Sequence, residues 1–502
     1  MNKLYFGWDY YNYSQQPDVN KVIRDKFQDF RPDETYPNDS DTLPLFNDEY
    51  MVTNPWHQLL DILKEYAGEV EIRHKDTIEL TERDIPFIYL IGVRSGPQEW
   101  GSDDRNTLFH NIKSHTKNYI RDGKVLVIVD MSGEGYPVEN LDELTYSETG
   151  VIPNILFEME KAADREEFPL TNMCYLTGNA EAENYEPTKI NIINLCWSEI
   201  AVKKSNSTWI DKTFEGVFEY KKKNIRRPTT KHFLSLCKLV KDWRLYHSLG
   251  LNYYNLHEKG LTSLIIPKNQ LMILNERLWP GAAAKPYDSR IDDSSDETDF
   301  EFNKNITEFE EYIRVIKLKL RLVGNIEHGK YVKSDENIKS LLEKLPLYVD
   351  LKSFKQDDGT PISGFSVWDD SFYNDTFFSY LYESYAYNTK TTYMSEKFWK
   401  TVLNFHPTLL VTNPHTLRYL KDRGYKTFSP FIDESYDKEE DFDVRSKMLL
   451  LEVNRLCEMS KTETLDWYSK QSDTLIHNFK KYYEDDIITK PINKIRELYK
   501  SL

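Results

Sequence analysis

The sequence predicts an α/β protein made of two doubly wound, Rossmann-like units followed by a helical segment. Three observations predict it. At 502 residues the chain is too long for one ordinary hydrophobic core. Its clearest strand candidates, Ile85–Val93 (IPFIYLIGV) and Lys124–Asp130 (KVLVIVD), are short apolar runs without alternation, as expected of strands covered on both faces. Helix-length stretches such as Thr107–Ile120 separate these runs, which is the rhythm of βαβ units.

The elements follow in order. Lys3–Trp8 reads as a first strand. The N-terminus carries one basic residue, Lys3, but then Asp9 and polar tyrosines, so no signal peptide is expected. Asn172–Thr177 (NMCYLT) and Ile190–Cys196 (INIINLC) continue the first unit. The basic segment Lys221–His232 (KKKNIRRPTTKH) marks a boundary, and a new strand starts at Phe233. We therefore expect units over 1–225 and 226–445 and a helical tail over 446–502. In the second unit, Arg244–Tyr254 suits a helix, Ser263–Ile266 a strand, and the acidic, turn-rich 281–300 an exposed loop. In the tail, Leu449, Leu450, Val453, Leu456, Cys457, Leu465, Trp467, Ile476 and Phe479 give amphipathic helices, and His477 reads as a packing or surface residue.

Composition limits the function classes. Lys plus Arg is 65 and Asp plus Glu is 82, so the net charge is 65 − 82 = −17. Such a surface does not suit a protein that coats nucleic acid or an anionic membrane all over, though a local basic groove remains compatible. No apolar run reaches the roughly 20 residues of a membrane-spanning helix. The four cysteines, Cys174, Cys196, Cys237 and Cys457, are widely spaced, form no CxxC pair, and predict buried free thiols in a reducing cytoplasm. No Asp-x-Asp stands at a strand end, and no metal site is expected.

The most informative stretch runs from Asp375 to Asp443. Phe377–Glu383 reads as a strand ending on a carboxylate. Ser395 stands at an N-cap position, and Phe398, Val402 and Phe405 share a helical face. Thr408–Val411 is a further strand, and a helix opened by Asn413–Pro414 ends at Gly424. Ligands of open α/β sheets bind at the C-terminal ends of strands, and a helix N-terminus there attracts phosphate. Glu396 suits the two hydroxyls of a ribose, and Lys397 with the free N–H groups suits a diphosphate. The same Ser-Glu-Lys is also what ordinary capping and surface charge produce.

The string Glu383-Ser384 followed by Thr392-Tyr393-Met394-Ser395-Glu396-Lys397-Phe398-Trp399 resembles the donor-binding motif of the α1,3-fucosyltransferase family. Phe233–Leu249, Ser395–Pro407 and Gly424–Asp437 (GYKTFSPFIDESYD), with Arg445 beyond, resemble a group of phage-encoded glycosyltransferases. The resemblance implies a GT-B fold: two Rossmann-like domains facing a cleft, with the last helices crossing back to the first domain. It implies that Glu396 binds the ribose, that Lys397 and Arg244 neutralise the diphosphate, that Ser395 caps the helix, that Tyr393 lines the nucleotide site, and that Glu383 lies near the donor sugar. The donor would be a UDP- or GDP-sugar. Ser384 and Ser395 replace the Asn and Thr usual in fucosyltransferases, so GDP-fucose is not inferred.

Transfer to a hydroxyl needs a base, and the first unit offers Glu134 and Asp130 around the end of the Lys124–Asp130 strand, where Gly133 and Gly135 permit close approach. The loop Thr177–Ala182 is another candidate rim. If the phage likeness extends to the acceptor, a hydroxymethylated pyrimidine in DNA fits, with Lys221, Lys222, Lys223, Arg226 and Arg227 as the phosphate-contacting patch. A glycan, lipid-linked sugar or protein acceptor fits the acidic surface equally well. A third reading is a catalytically silent module that binds nucleotide-sugar or glycan.

Overall fold

The computed structural model describes residues 3–8, 71–92, 112–136, 155–204, 230–239, 242–265, 330–345, 370–386 and 391–502, with single residues and short pieces between them. Lys221, Lys222, Lys223, Arg226, Arg227 and the acidic segment 281–300 lie outside the described residues. What is described is mixed α/β, with two parallel sheets in a Rossmann-like, two-unit layout.

The first sheet holds β1 (Lys3–Trp8), β2 (Glu71–Asp76), β3 (Phe87–Gly92), β4 (Val125–Met131), β5 (Met173–Thr177) and β6 (Asn191–Asn194). Their order is β2-β1-β3-β4-β5-β6, and every pairing is parallel. The continuous apolar runs are explained by cover on both faces. Val125, Val127 and Val129 pack with Ile120 of α1 (Ser114–Arg121) and with Ile155, Met159 and Ala163 of α2 (Ile155–Glu166). Leu126, Ile128, Cys174 and Leu176 point the other way and pack on Ile488, Ile492 and Ile495. Each fully buried Val, Leu, Ile or Met among them contributes about 1.5–3 kcal/mol. Strand β2 (EIRHKD) is polar because it is an edge strand, and its sequence gave no apolar run to find.

After α3 (Trp197–Lys204), the second sheet holds β7 (Phe233–Leu239), β8 (Gly260–Ile265), β9 (Phe378–Tyr382) and β10 (Thr408–Val411) in the parallel order β8-β7-β9-β10. Helix α4 (Asp242–Tyr253) leaves β7, α5 (Glu396–Leu403) connects β9 to β10, and α6 (Thr416–Asp422) follows β10. The expected start of α6 at Asn413–Pro414 is corrected to Thr416. His415 takes a left-handed backbone (φ 64°) and turns the chain before the helix begins. The end is as expected, with Gly424 at φ 88° just beyond the helix.

The C-terminal helices are shared between the two sheets. Helices α7 (Phe442–Glu458), α8 (Lys461–Lys470) and α9 (Ser472–Glu484) bury Leu449, Leu450, Val453, Trp467, Leu475 and Phe479 in the core of the second sheet. Only α10 (Thr489–Lys500) reaches the first sheet, covering the face that α1 and α2 leave open. Lys494 and Tyr499 fix it, donating to the carbonyls of Ile192 (2.8 Å) and Pro86 (2.7 Å). Where the chain passes between units, Arg423 donates to both oxygens of Glu199 (2.9 and 2.8 Å) and to Asp485 (2.6 Å). Its guanidinium also lies over the rings of Trp399, Tyr419 and Tyr425.

Candidate functional site

The second sheet reverses its strand order between β7 and β9, and this switch point opens at the C-terminal ends of those strands. Glu383 sits there, one residue past β9, and is fully buried. One carboxylate oxygen accepts the backbone N–H of Ser395 at 2.9 Å, and the other, Oε1, has no hydrogen-bond partner among the described residues. Burial raises this carboxyl above its ordinary range, while Lys397 and the Ser395 N–H oppose the shift. The Trp243 indole donates to the Glu383 carbonyl at 3.2 Å, which places the first turn of α4 beside it. Arg244, the next residue, is buried in that turn, and its charge acts on the Tyr382 phenol.

Helix α5 begins as its sequence requires. The Ser395 hydroxyl accepts the N–H of Lys397 (3.4 Å), and the indole of the fully buried Trp399 anchors the first turn to the Met394 carbonyl (3.2 Å). Glu396 and Lys397 pair at 2.9 Å, with side chains 15% and 26% exposed. Burial works to raise the Glu396 carboxyl, but Lys397 and Lys400 outweigh it and hold the group below its ordinary range. An ionised carboxylate beside an ammonium and a helix N-terminus can bind sugar hydroxyls and an anion together.

The segment leading into α5 is joined to the first unit. Thr392 donates its N–H to Asn179 Oδ1 (3.0 Å) and its hydroxyl to Glu181 (3.0 Å), and its carbonyl accepts the N–H of Ala180 (2.9 Å). The Met394 carbonyl accepts from Ser198 (3.0 Å) and from the Cys196 thiol (3.4 Å). Tyr393 is buried between Gly135 and Gly178, where an added Cβ would stand 2.3 and 2.6 Å from its side chain. Its phenol donates to the Gly133 carbonyl at 2.6 Å. The residue expected to line a nucleotide site is therefore a tooth between the units, and the C-terminal ends of both sheets meet at this seam.

The two base candidates differ in placement. Asp130, near the end of β4, is fully buried and accepts the Ser132 N–H (2.9 Å), capping the turn that follows, and burial raises its carboxyl. Glu134, four residues on, is only half-buried and accepts the Tyr385 hydroxyl from across the seam at 3.3 Å. The rings of Tyr136 and Tyr385 meet edge-on at 6.3 Å, as do those of Tyr385 and Tyr393 at 6.1 Å. Glu134 is thus brought to the second unit, and Asp130 stays beneath it in the first sheet.

Sequence reasoning did not single out Ser198, Trp243 or Tyr385, and it named Asn179 only as part of the Thr177–Ala182 rim. Only Asn179 had a signal, the Thr-Gly-Asn turn after a strand. The string around Glu434 and Asp437 has structural work: Glu434 accepts the N–H groups of Phe428 (2.7 Å) and Ser429 (3.0 Å), and Asp437 accepts those of Leu417 (2.9 Å) and Arg418 (3.3 Å) at the head of α6. Arg445 is buried and donates to the carbonyls of Ala386 (2.7 Å) and Glu439 (2.6 Å). His477, partly buried, bonds the Gly424 carbonyl at 2.9 Å. All four cysteines are free, and Cys196 is partly exposed.

No protein-family model, curated protein or solved structure matches the chain. Among the described residues, no helix is long and apolar enough to cross a membrane, and no three His, Cys, Asp or Glu side chains gather as metal ligands.

Proposed function

We propose that this protein is a glycosyltransferase of GT-B type that moves a sugar from a nucleotide-sugar to an acceptor hydroxyl. The observation that carries this reading is the arrangement at the head of α5. A Ser395-capped helix presents the Glu396–Lys397 pair, the buried carboxylate of Glu383 adjoins its first N–H, and the partly exposed Glu134 comes from the facing unit. This is a nucleotide-binding chemistry and a base on opposite sides of one seam.

In the reaction we infer, the acceptor oxygen attacks the anomeric carbon, the bond from that carbon to the diphosphate oxygen breaks, and the acceptor proton passes to Glu134. Lys397, the N–H groups of α5 and Arg244 take up the charge of the departing diphosphate. Glu396 holds the ribose. A single displacement of this kind inverts the anomeric centre. The acceptor version put to test is a hydroxymethylated pyrimidine in DNA, with the basic segment Lys221–Lys231 as its phosphate contact, in the cytoplasm of a phage host.

The test is incubation with a panel of UDP-, GDP-, CMP- and ADP-sugars in the presence of hydroxymethylcytosine DNA, read by intact mass and by free nucleotide. Added sugar mass on the DNA supports the whole reading. Donor hydrolysis without DNA modification supports the enzyme and overturns the DNA acceptor. Neither binding nor turnover of any donor overturns the enzyme.

A further inference from the structure

Asn179 is fully buried at the turn after β5, in the seam. Its backbone N–H is satisfied by the Thr177 hydroxyl (3.1 Å). Its Oδ1 accepts the N–H of Glu181 (3.1 Å) in its own loop and the N–H of Thr392 (3.0 Å) in the segment that enters α5. Its Nδ2 donates to the carbonyl of Tyr136 (3.2 Å), in the loop that carries Glu134. One side-chain amide therefore ties three backbone segments, two from the first unit and one from the second. An amide offers an acceptor and a donor on separate atoms, whereas an ionised carboxylate has no donor and an alcohol has no second arm.

We propose that Asn179 is a positioning residue that holds the Glu134 loop and the head of α5 in one register, so that the base and the donor-binding helix are set by the same hydrogen-bond hub. This rests on the glycosyltransferase reading for its catalytic meaning, but the coupling of the two segments stands on the hydrogen bonds alone. A buried polar hub of this kind fixes geometry when all its members are satisfied. The neighbouring bond from Ala180 N–H to the Thr392 carbonyl extends the same join by one residue.

Two variants separate its arms. Asn179→Ala removes both. Asn179→Asp is close to isosteric, keeps the acceptor for Thr392 and Glu181, and at neutral pH sets a carboxylate against the Tyr136 carbonyl. Lowering the pH protonates that carboxyl and restores a donor to Tyr136, so the defect of Asn179→Asp should shrink as pH falls, which a loss of packing would not do.

The experiment is amide hydrogen exchange of the full-length variants, with UDP and GDP as binding probes and donor hydrolysis as the kinetic readout. In Asn179→Ala we expect faster exchange in both 133–136 and 391–395. We also expect binding of whichever nucleotide the wild type takes to weaken about 10-fold, the effect of leaving buried backbone groups unpaired. In Asn179→Asp we expect faster exchange confined to 133–136, with kcat lowered about 10-fold, KM kept, and recovery at lower pH. Unchanged exchange in both segments, or a rise spread evenly over the molecule in both variants, overturns the proposal. If the wild type binds neither nucleotide and hydrolyses no donor, the glycosyltransferase reading fails while the exchange data still decide the coupling.

Discussion

The phenol of Tyr393 donates to the backbone carbonyl of Gly133 at 2.6 Å, so a side chain of the second unit is bonded inside a loop of the first. The two glycines beside it leave room for nothing larger. Gly178→Ala would put a methyl 2.6 Å from the Tyr393 ring. Overpacking of this kind costs about 1–3 kcal/mol, and we expect a lowered midpoint in urea denaturation. Combining it with Tyr393→Ala should restore part of the loss. A double variant no more stable than the sum of its parts would show that the ring and the glycine do not press on each other.

Arg423 holds a charge network between the units, with Glu199 only 2% exposed and Asp485 19% exposed. Removing the guanidinium strands a buried carboxylate. Arg423→Ala should therefore destabilise by about 3–5 kcal/mol. Arg423→Ala with Glu199→Gln should recover part of that in thermal unfolding. A single variant within experimental error of the wild type would mean that the network is not formed in solution.

Asp130 and Glu383 are buried carboxyls whose folded forms favour the proton, in both cases chiefly because burial penalises the charge. The sign follows from linkage. A carboxyl with a raised folded pKa contributes most below its unfolded pKa, and that contribution is lost as pH rises through the folded pKa. Asp130→Asn keeps an acceptor for Ser132 but cannot ionise. Relative to this variant, the wild type should lose stability as pH climbs out of the ordinary carboxylate range. Parallel stability profiles across that range would contradict the assignment.

The fold was legible where strands are covered on both faces, because β3, β4 and β5 must be apolar throughout. It was not legible at β2, an edge strand whose alternating charges resemble a surface segment. The C-terminal helices were legible as amphipathic, but which sheet each one covers depends on an open face far away in sequence. Within the site, the cap of α5 by Ser395 could be read directly, since it depends on neighbours one or two residues apart. Tyr393 could not: its place between Gly135 and Gly178 joins positions more than 200 residues distant, and nothing local distinguishes a ligand-facing tyrosine from a packing one. The loop of Asn179 was legible as a rim, but the bonds of its side chain were not, since their partners lie in three segments.

The most direct test of the account is calorimetric titration of the wild type and Glu396→Ala with UDP- and GDP-sugars. The account predicts that the wild type binds one of these donors and that the variant binds it about 10- to 100-fold more weakly, the worth of hydrogen bonds to a charged group, while folding as the wild type does. Equal binding by the two proteins, or binding by neither, would contradict it.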